Sequence, residues 1–551
     1  MNKLLIISLS IIYISFGFSY SQVNQEWIAE YNGFANSSDR SSAMMIDEEG
    51  NTYLTGETYS TSGNYDLITI KYNTLGDTLW VRYYNGPANN RDVGRAIEID
   101  DGGNVYITGE SYGSVNYDII TIKYNSSGTQ QWTERYDGPA NGADGGLAIA
   151  TDNLGNVYVT GYSDGDASPV FRQDDYITIK YNSTGSIDWT KRYNGPGNFH
   201  DVAYDIALDN NGNIFVTGGS SGIGSRYDYA TIKYDPSGNE LWVNTYNGPA
   251  NYNDITKSII IDDSGNVYVT GSSDGASSDN QDFATIKYSS VGAQIWLSRY
   301  DGGGGSDDAY AMILDNDGNL VVTGGSKEPS SPFSFDYMTI KYNSITGDTI
   351  WTARYKGSAG GIDISLSITS DITGNYYVAG YSEGIGSGYD YAALKYNSNG
   401  VQQWTTRYNG TGNLNDFANS LAVDTAGYVY VSGTSSGDIT FEDIVTLKYY
   451  QSVTGVQGTT FNLPIAYCLN QNYPNPFNPT TTIKYQIPQR SNVSLKVYDI
   501  IGNEIEELVN GEQEAGFYNI DFNAARLTSG VYFYRLQAGD FVQTRKMILL
   551  K

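Results

Sequence analysis

The sequence predicts an all-β protein: an eight-bladed β-propeller with four-stranded blades, followed by a small Ig-like β-sandwich. Three observations predict it. The eight tryptophans, Trp27, Trp80, Trp132, Trp189, Trp242, Trp296, Trp351 and Trp404, recur at intervals of 53, 52, 57, 53, 54, 55 and 53 residues, the signature of a repeat architecture. The composition, with 63 Gly and 50 Tyr in 551 residues, suits strands punctuated by turns. Each interval also holds the same four short segments, and a four-stranded meander buries its faces only by repeating radially.

The first segment, strand D, carries the Trp, a Tyr four residues later and a Gly six residues later, as in Trp189, Tyr193 and Gly195. The even offset puts both rings on one face, and the Gly ends the strand. Strand A starts at a recurrent Asp and runs to a second Asp followed by Gly-Asn, as in Asp92 to Asp100, Gly103 and Asn104; residues that tolerate positive φ mark a tight turn into strand B. Strand B alternates, as in Asn156-Val-Tyr-Val-Thr-Gly161, and strand C reads Asp-x-x-Thr-Ile-Lys-Tyr, as at Asp118 to Tyr124. The array opens on strand D at Trp27 and closes on strand C at Tyr449. The N-terminal strand, Gln25 to Tyr31, is therefore expected to complete the eighth blade beside Asp443 to Tyr449.

The N-terminus reads as a signal peptide over residues 1–21: Lys3, an apolar run from Leu4 to Phe18, then small residues to Ser21. That run is short for a membrane span and no later segment is apolar enough for one. The propeller is expected over 22–450, a Ser/Thr/Gly-containing linker over 451–470, and the sandwich over 471–551, with strands at Thr482–Ile487, Val493–Tyr498, Gly516–Phe522, Gly530–Leu536 and Thr544–Leu550. Cys468 is the only cysteine, so no intramolecular disulfide is available. The formal net charge is −29, which repels a phosphate backbone and argues against nucleic acid as a partner.

The repeat, with its Asp-x-x-Gly-Asn-x-Tyr-Val-Thr-Gly and Asp-Tyr-x-Thr-Ile-Lys-Tyr segments, resembles the SBBP-type β-propeller repeat family from Glu26 to about Tyr450, with the last unit departing most. The tail, with Asn472-Tyr473-Pro474-Asn-Pro476-Phe477-Asn-Pro479, Val497 to Gly502, Ser529-Gly530-Val-Tyr532 and Arg545-Lys546 to Lys551, resembles the type A C-terminal sorting domain of the type IX secretion system. The second resemblance implies export from the periplasm to the cell surface or beyond, with the secretion machinery as partner.

Candidate chemistry is sparse. Two Asp series recur, and the first (Asp39, Asp92, Asp144, Asp201, Asp254, Asp307, Asp363 and Asp416) would circle one mouth of the ring. One such residue per repeat points to a carboxylate accepting N–H groups of its own loop rather than to a cation ring. Asp315-Asn-Asp317-Gly318-Asn319 resembles the start of a calcium loop without its later ligands, so turn chemistry explains it better, and no cofactor is expected. His200 is the only histidine, which excludes repeated Ser-His-Asp triads and multi-histidine zinc sites; it reads as a solvent-facing loop residue. The Lys71 series of strand C is expected to pair with an Asp of the same or next blade.

The loops joining B to C and D to A share one face, because strand direction alternates. From the Gly ending strand B to the Asp of strand C the steps are 10, 9, 14, 10, 11, 12, 10 and 10, so blades three and six carry the long BC loops, and departures from a uniform scaffold are where function is grafted. Asp164, Asp166, Phe171 and Arg172 in blade three, with Lys327, Glu328, Phe333 and Phe335 in blade six, are the candidate ligand residues. The expected role is binding or scaffolding toward a glycan or surface protein; the alternative is a polysaccharide-active hydrolase or lyase using carboxylates of one face.

Overall fold

The computed structural model describes residues 23–165, 173–275, 280–303, 305–328, 334–437, 441–451, 467–469, 472, 477–513, 516–539 and 541–551. The expected signal segment and Asp166, Phe171, Arg172, Phe333, Tyr473, Pro474 and Pro476 lie outside the described residues. The chain divides into two compact units, residues 1–453 and 454–551. The described residues form no helix, and none is long and apolar enough to cross a membrane.

The first unit contains eight antiparallel four-stranded sheets. Blade one illustrates the order A to D: Asp39–Ile46, Thr52–Tyr59, Tyr65–Tyr72 and Thr78–Tyr84. Strand A is innermost, touching the A strands of both neighbouring blades around the ring, and blade one meets blade eight in the same way. Apolar side chains fill the spaces between blades: Tyr53 and Leu67 of blade one pack with Ile97, Ile107 and Ile122 of blade two, and Leu54 and Ile70 of blade one pack with Tyr430 and Ile444 of blade eight.

The recurrent tryptophan is an inter-blade latch. Its indole N–H donates to a carbonyl in the CD turn of the next blade, as in Trp189 to Pro236 O at 3.2 Å and Trp296 to Ser344 O at 3.1 Å. The ring lies against the glycine of that turn: at Gly347, φ is 77° and a Cβ would come within 2.8 Å of Trp296. Trp and Gly therefore recur together because each blade fastens the next.

Closure follows the expected route. Val23–Tyr31 pairs antiparallel with Asp443–Gln451, from Val23 opposite Gln451 to Tyr31 opposite Ile444, and Trp27 donates to Thr74 O of blade one at 3.0 Å. Gln451, expected in the linker, is instead the last residue of that strand. Blade eight has no CD turn to offer Trp404 a carbonyl, and the Gln451 side chain supplies it: Oε1 accepts from Trp404 Nε1 at 3.3 Å and Lys395 Nζ at 2.8 Å.

The second unit consists of a three-stranded sheet (Cys468–Leu469, Thr480–Ile487, Gly516–Asn523) and a four-stranded one (Glu504–Gln513, Ser491–Tyr498, Gly530–Ala538, Phe541–Leu549). Leu469, Phe477, Ile483, Tyr485, Leu495, Val497, Tyr534, Leu536 and Met547 share one buried core. The strand Glu504–Gln513 was not expected; it lies at a sheet edge and is largely exposed, so its sequence does not alternate.

Candidate functional site

The first Asp series is internal. All eight carboxylates are fully buried, and each accepts the N–H of the glycine ending the preceding strand D, for example Gly86 to Asp92 at 2.6 Å and Gly195 to Asp201 at 2.7 Å. The Ser or Thr near the end of strand B adds a hydroxyl, as from Ser111 to Asp92 and from Ser435 to Asp416 at 2.6 Å. The carboxylates tie the DA loop to the blade.

The second series organises the AB turns. Asp315 accepts the N–H groups of Asp317 and Asn319, both at 2.9 Å, while its other oxygen takes Lys341 Nζ at 2.7 Å and Tyr376 OH at 2.8 Å. A cation at Asp315 would have to displace that ammonium, and Asp317 is exposed at the turn tip. Lys71 likewise lies 3.9 Å from Asp47 of its own blade, with its ammonium 4.5 Å from the centre of the Tyr53 ring.

On the BC and DA face, Arg135, Arg192, Arg299, Arg354 and Arg407 of strand D pair with Asp118, Asp175, Asp282, Asp336 and Asp390 of strand C, at 2.5 to 2.9 Å. Asp164 is buried at the base of the blade-three loop, where its Oδ1 accepts Gln173 N–H at 3.4 Å. Glu328 takes Lys356 Nζ at 2.6 Å. Lys327 bonds Ser306 O through its N–H and Phe335 bonds Gly361 O through its own. These four described residues anchor their loops.

Two acidic groups and a pocket escaped the sequence reading. Asp118, Asp137 and Asp144, and equally Asp282, Asp301 and Asp307, bring carboxylate oxygens within 4.8 Å of one another. Such oxygens suit a hard cation, but Arg135 and Arg299 already occupy one member of each group. The signal was visible: five blades have Asn after the strand-D Tyr, where these two have Asp137 and Asp301. On the opposite face, Glu98, Asp100, Asp101 and Asp152 line a pocket of ≈ 270 Å³.

Burial, with the neighbouring carboxylates adding, pushes Asp144 and Asp307 up to about 6, and burial pushes Glu98 to about 7. Their folded pKa values exceed those of an unfolded chain, so the native state holds protons that the unfolded state has released. Stability therefore falls as pH rises from about 4 through 6 to 7. The expected result is a higher melting temperature at pH 5 than at pH 8, with Asp137→Asn plus Asp301→Asn raising it at pH 8 and flattening the profile. Melting curves across that range check it; a melting temperature that climbs with pH refutes it.

A groove whose lining departs from the repeat lies in blade four. Gly197, Phe199, Ser221, Gly222, Ser225, Arg226 and Tyr227 line ≈ 380 Å³ between a DA loop and a BC loop. Gly197 N–H bonds Ser221 O at 2.8 Å, and a Cβ at Gly197 would fall 2.6 Å from that carbonyl oxygen, so only glycine lets the loops approach so closely. Arg226 and Tyr227 both donate their backbone N–H to Tyr252 O at 3.1 Å, and the Arg226 guanidinium lies 4.1 Å over the Tyr252 ring. Phe199 is 46% exposed and meets His200 edge-on at 4.5 Å. His200, expected to face solvent, is half-buried, with Nδ1 3.2 Å from Asp174 Oδ2.

In the sorting motif, Phe477 is 2% exposed and clamps the last strand: its N–H bonds Ile548 O at 2.9 Å and its carbonyl accepts Leu550 N–H at 3.0 Å. Tyr532 is buried with its hydroxyl on Thr528 O at 2.8 Å, Gly530 opens its strand, and Lys546 is exposed.

Comparison with known proteins agrees with both halves. A β-propeller repeat family matches residues 144–166, 245–277 and 403–440, and a secretion system C-terminal sorting domain matches residues 471–550. An uncharacterized WD repeat-containing protein of Acanthamoeba polyphaga mimivirus is 23% identical over 544 residues, covering 88% of this chain and 34% of that protein; the chain thus spans about a third of the curated relative it matches. Among solved structures, PorZ of Porphyromonas gingivalis, a surface component of the type-IX secretion system, is 15% identical with a TM-score of 0.35, covering 91% of this chain and 64% of that one. Sqt1 of Chaetomium thermophilum is 9% identical with a TM-score of 0.49, covering 78% and 100%. The chain joins SBBP-type β-propeller repeats to a type IX secretion C-terminal sorting domain, and that domain directs it to the cell surface or the extracellular space.

Proposed function

We propose that the protein is a secreted or surface-displayed binding protein that engages a glycan or a surface protein through its BC and DA face and performs no chemistry there. On this reading residues 1–21 are a cleaved signal peptide, 22–450 the propeller, 451–470 the linker and 471–551 the domain read by the secretion machinery. The supporting observation is how the carboxylates are used. The recurrent Asp residues hold loops and turns within their own blades, while the loops of one face supply the departures from the repeat, which is how a binding site is grafted on a uniform scaffold.

The test is an array of polysaccharides, glycans and surface proteins probed with the mature protein and scored for retention and for products. Retention without products is expected, and trimming loops of the BC and DA face removes it at an unchanged melting temperature. New reducing ends or unsaturated products from a retained polysaccharide would overturn the reading.

A further inference from the structure

Resting on that reading, we infer that the blade-four groove is a binding site for a carboxylated sugar, a uronate residue within an otherwise weakly charged glycan, with Arg226 taking the carboxylate and Phe199 carrying the sugar ring.

Two independent departures from the repeat converge there, beside a strand D that lacks the usual Arg. Two residues before the strand-C Asp, the other blades have Asn64, Asn116, Gln173, Asn280, Ser334, Gly388 and Phe441, none of them charged; blade four has Arg226. Two residues before the strand-A Asp, the DA loops have Ser37, Asn90, Gly142, Gly305, Gly361 and Leu414, but the two loops beside Arg226 carry Phe199 and Tyr252. In strand D, five blades hold an Arg against the recurrent Asp of strand C; blade four has Thr245, as blades one and eight have Tyr83 and Glu30, so Asp228 has no strand-D guanidinium.

The state of Arg226 is what points to an anion. Among the described arginines of the propeller, Arg40, Arg91, Arg95 and the five strand-D residues sit on carboxylates, and Arg82 spends its donors on the carbonyls of Gly128, Val81 and Ser127. Arg226 is exposed, and the contact its guanidinium makes is the face of Tyr252. A guanidinium held over a ring face keeps N–H groups free for an anion, and its planar fork suits bidentate capture of a carboxylate.

Shape and field select the rest of the ligand. A volume of ≈ 380 Å³ is at the small end of ligand pockets. The exposed Phe199 ring and Tyr227 offer apolar faces for the C–H side of a pyranose, as aromatic residues with one wet side do. A chain of net charge −29 repels a dense polyanion, so a single carboxylate among neutral sugars fits better than a sulfated or phosphorylated polymer.

Calorimetry on the full mature chain tests this, with galacturonate- and glucuronate-containing oligosaccharides, their carboxyl-reduced forms and a sulfated oligosaccharide of the same length. Uronate oligosaccharides bind and the carboxyl-reduced forms do not. Arg226→Gln weakens binding about thirtyfold or more, the effect of unpairing a desolvated charge, and Phe199→Ala weakens it comparably, both at the wild-type melting temperature; Arg226→Lys retains part of the affinity. Equal binding of the reduced forms, tighter binding of the sulfated oligosaccharide, or no effect of Arg226→Gln overturns the inference. If another glycan is retained and loop trimming removes it while Arg226→Gln does not, the carboxylate site fails and the binding face stands; if products appear on the array, the binding reading itself fails.

Discussion

Deleting Val23–Tyr31 is expected to abolish cooperative folding of the propeller. The segment is the fourth strand of blade eight and pairs along its whole length with Asp443–Gln451. Without it, the hydrogen-bonding edge of that strand is bare, Ala29 is lost from the core shared by blades one and eight, and Trp27 no longer reaches Thr74 O. A bare edge is a template for pairing with another chain, so the deleted protein is expected to aggregate or to dimerise through blade eight. A milder version isolates the latch. Trp27 is half-buried, so Trp27→Ala should cost about 2 kcal/mol, less than the truncation of a fully buried Trp, and lower the melting temperature by several degrees. Denaturant titration of both proteins and light scattering of the deletion check this. A deletion that stays monomeric and melts like the parent would show that closure lies elsewhere.

The fold was legible because its determinants repeat. Trp, the following Tyr and Gly, the two Asp series and the Lys-Tyr pair each serve one mechanical role in every blade, so spacing alone revealed strand order and even the clasp between the ends. Three things were not legible, for different reasons. Gln451 acts through a side chain that replaces a backbone carbonyl, and a sequence shows no missing carbonyl. Glu504–Gln513 is a strand held by one neighbour and largely open to solvent, so nothing obliges it to alternate. The blade-four groove depends on two loops and a neighbouring DA loop meeting in space; Phe199, Arg226 and Tyr252 are each single substitutions on loops of ordinary length, whereas loop length drew attention to blades three and six. The Asp137 and Asp301 substitutions were readable as departures from Asn, but their proximity to Asp144 and Asp307 required the structure.

Export is expected to fail when the tail cannot fold, with the propeller unaffected. Phe477 is the one residue of the Tyr473 to Pro479 segment whose buried side chain is described, and it joins that segment to the C-terminal strand through hydrogen bonds to Ile548 and Leu550 while packing in the core with Phe522. Truncating a fully buried Phe costs about 3 to 5 kcal/mol, and a domain of roughly 80 residues has little more than that to lose. Phe477→Ala should therefore unfold the sorting domain, and a chain ending at Asn470 lacks it altogether. The propeller core is complete without it, since its clusters draw only on residues up to Tyr449. Cell fractionation with protease shaving should find both variants in the periplasm as folded, protease-resistant propellers, with surface material reduced about tenfold or more, a loss of the size expected when a recognised fold is populated only as a minor state. The exposed Lys546, by contrast, contributes no core packing, and Lys546→Ala should leave the domain folded, so that any export defect it shows reports on recognition rather than stability. Normal surface display of the chain ending at Asn470 would refute the dependence of export on this domain.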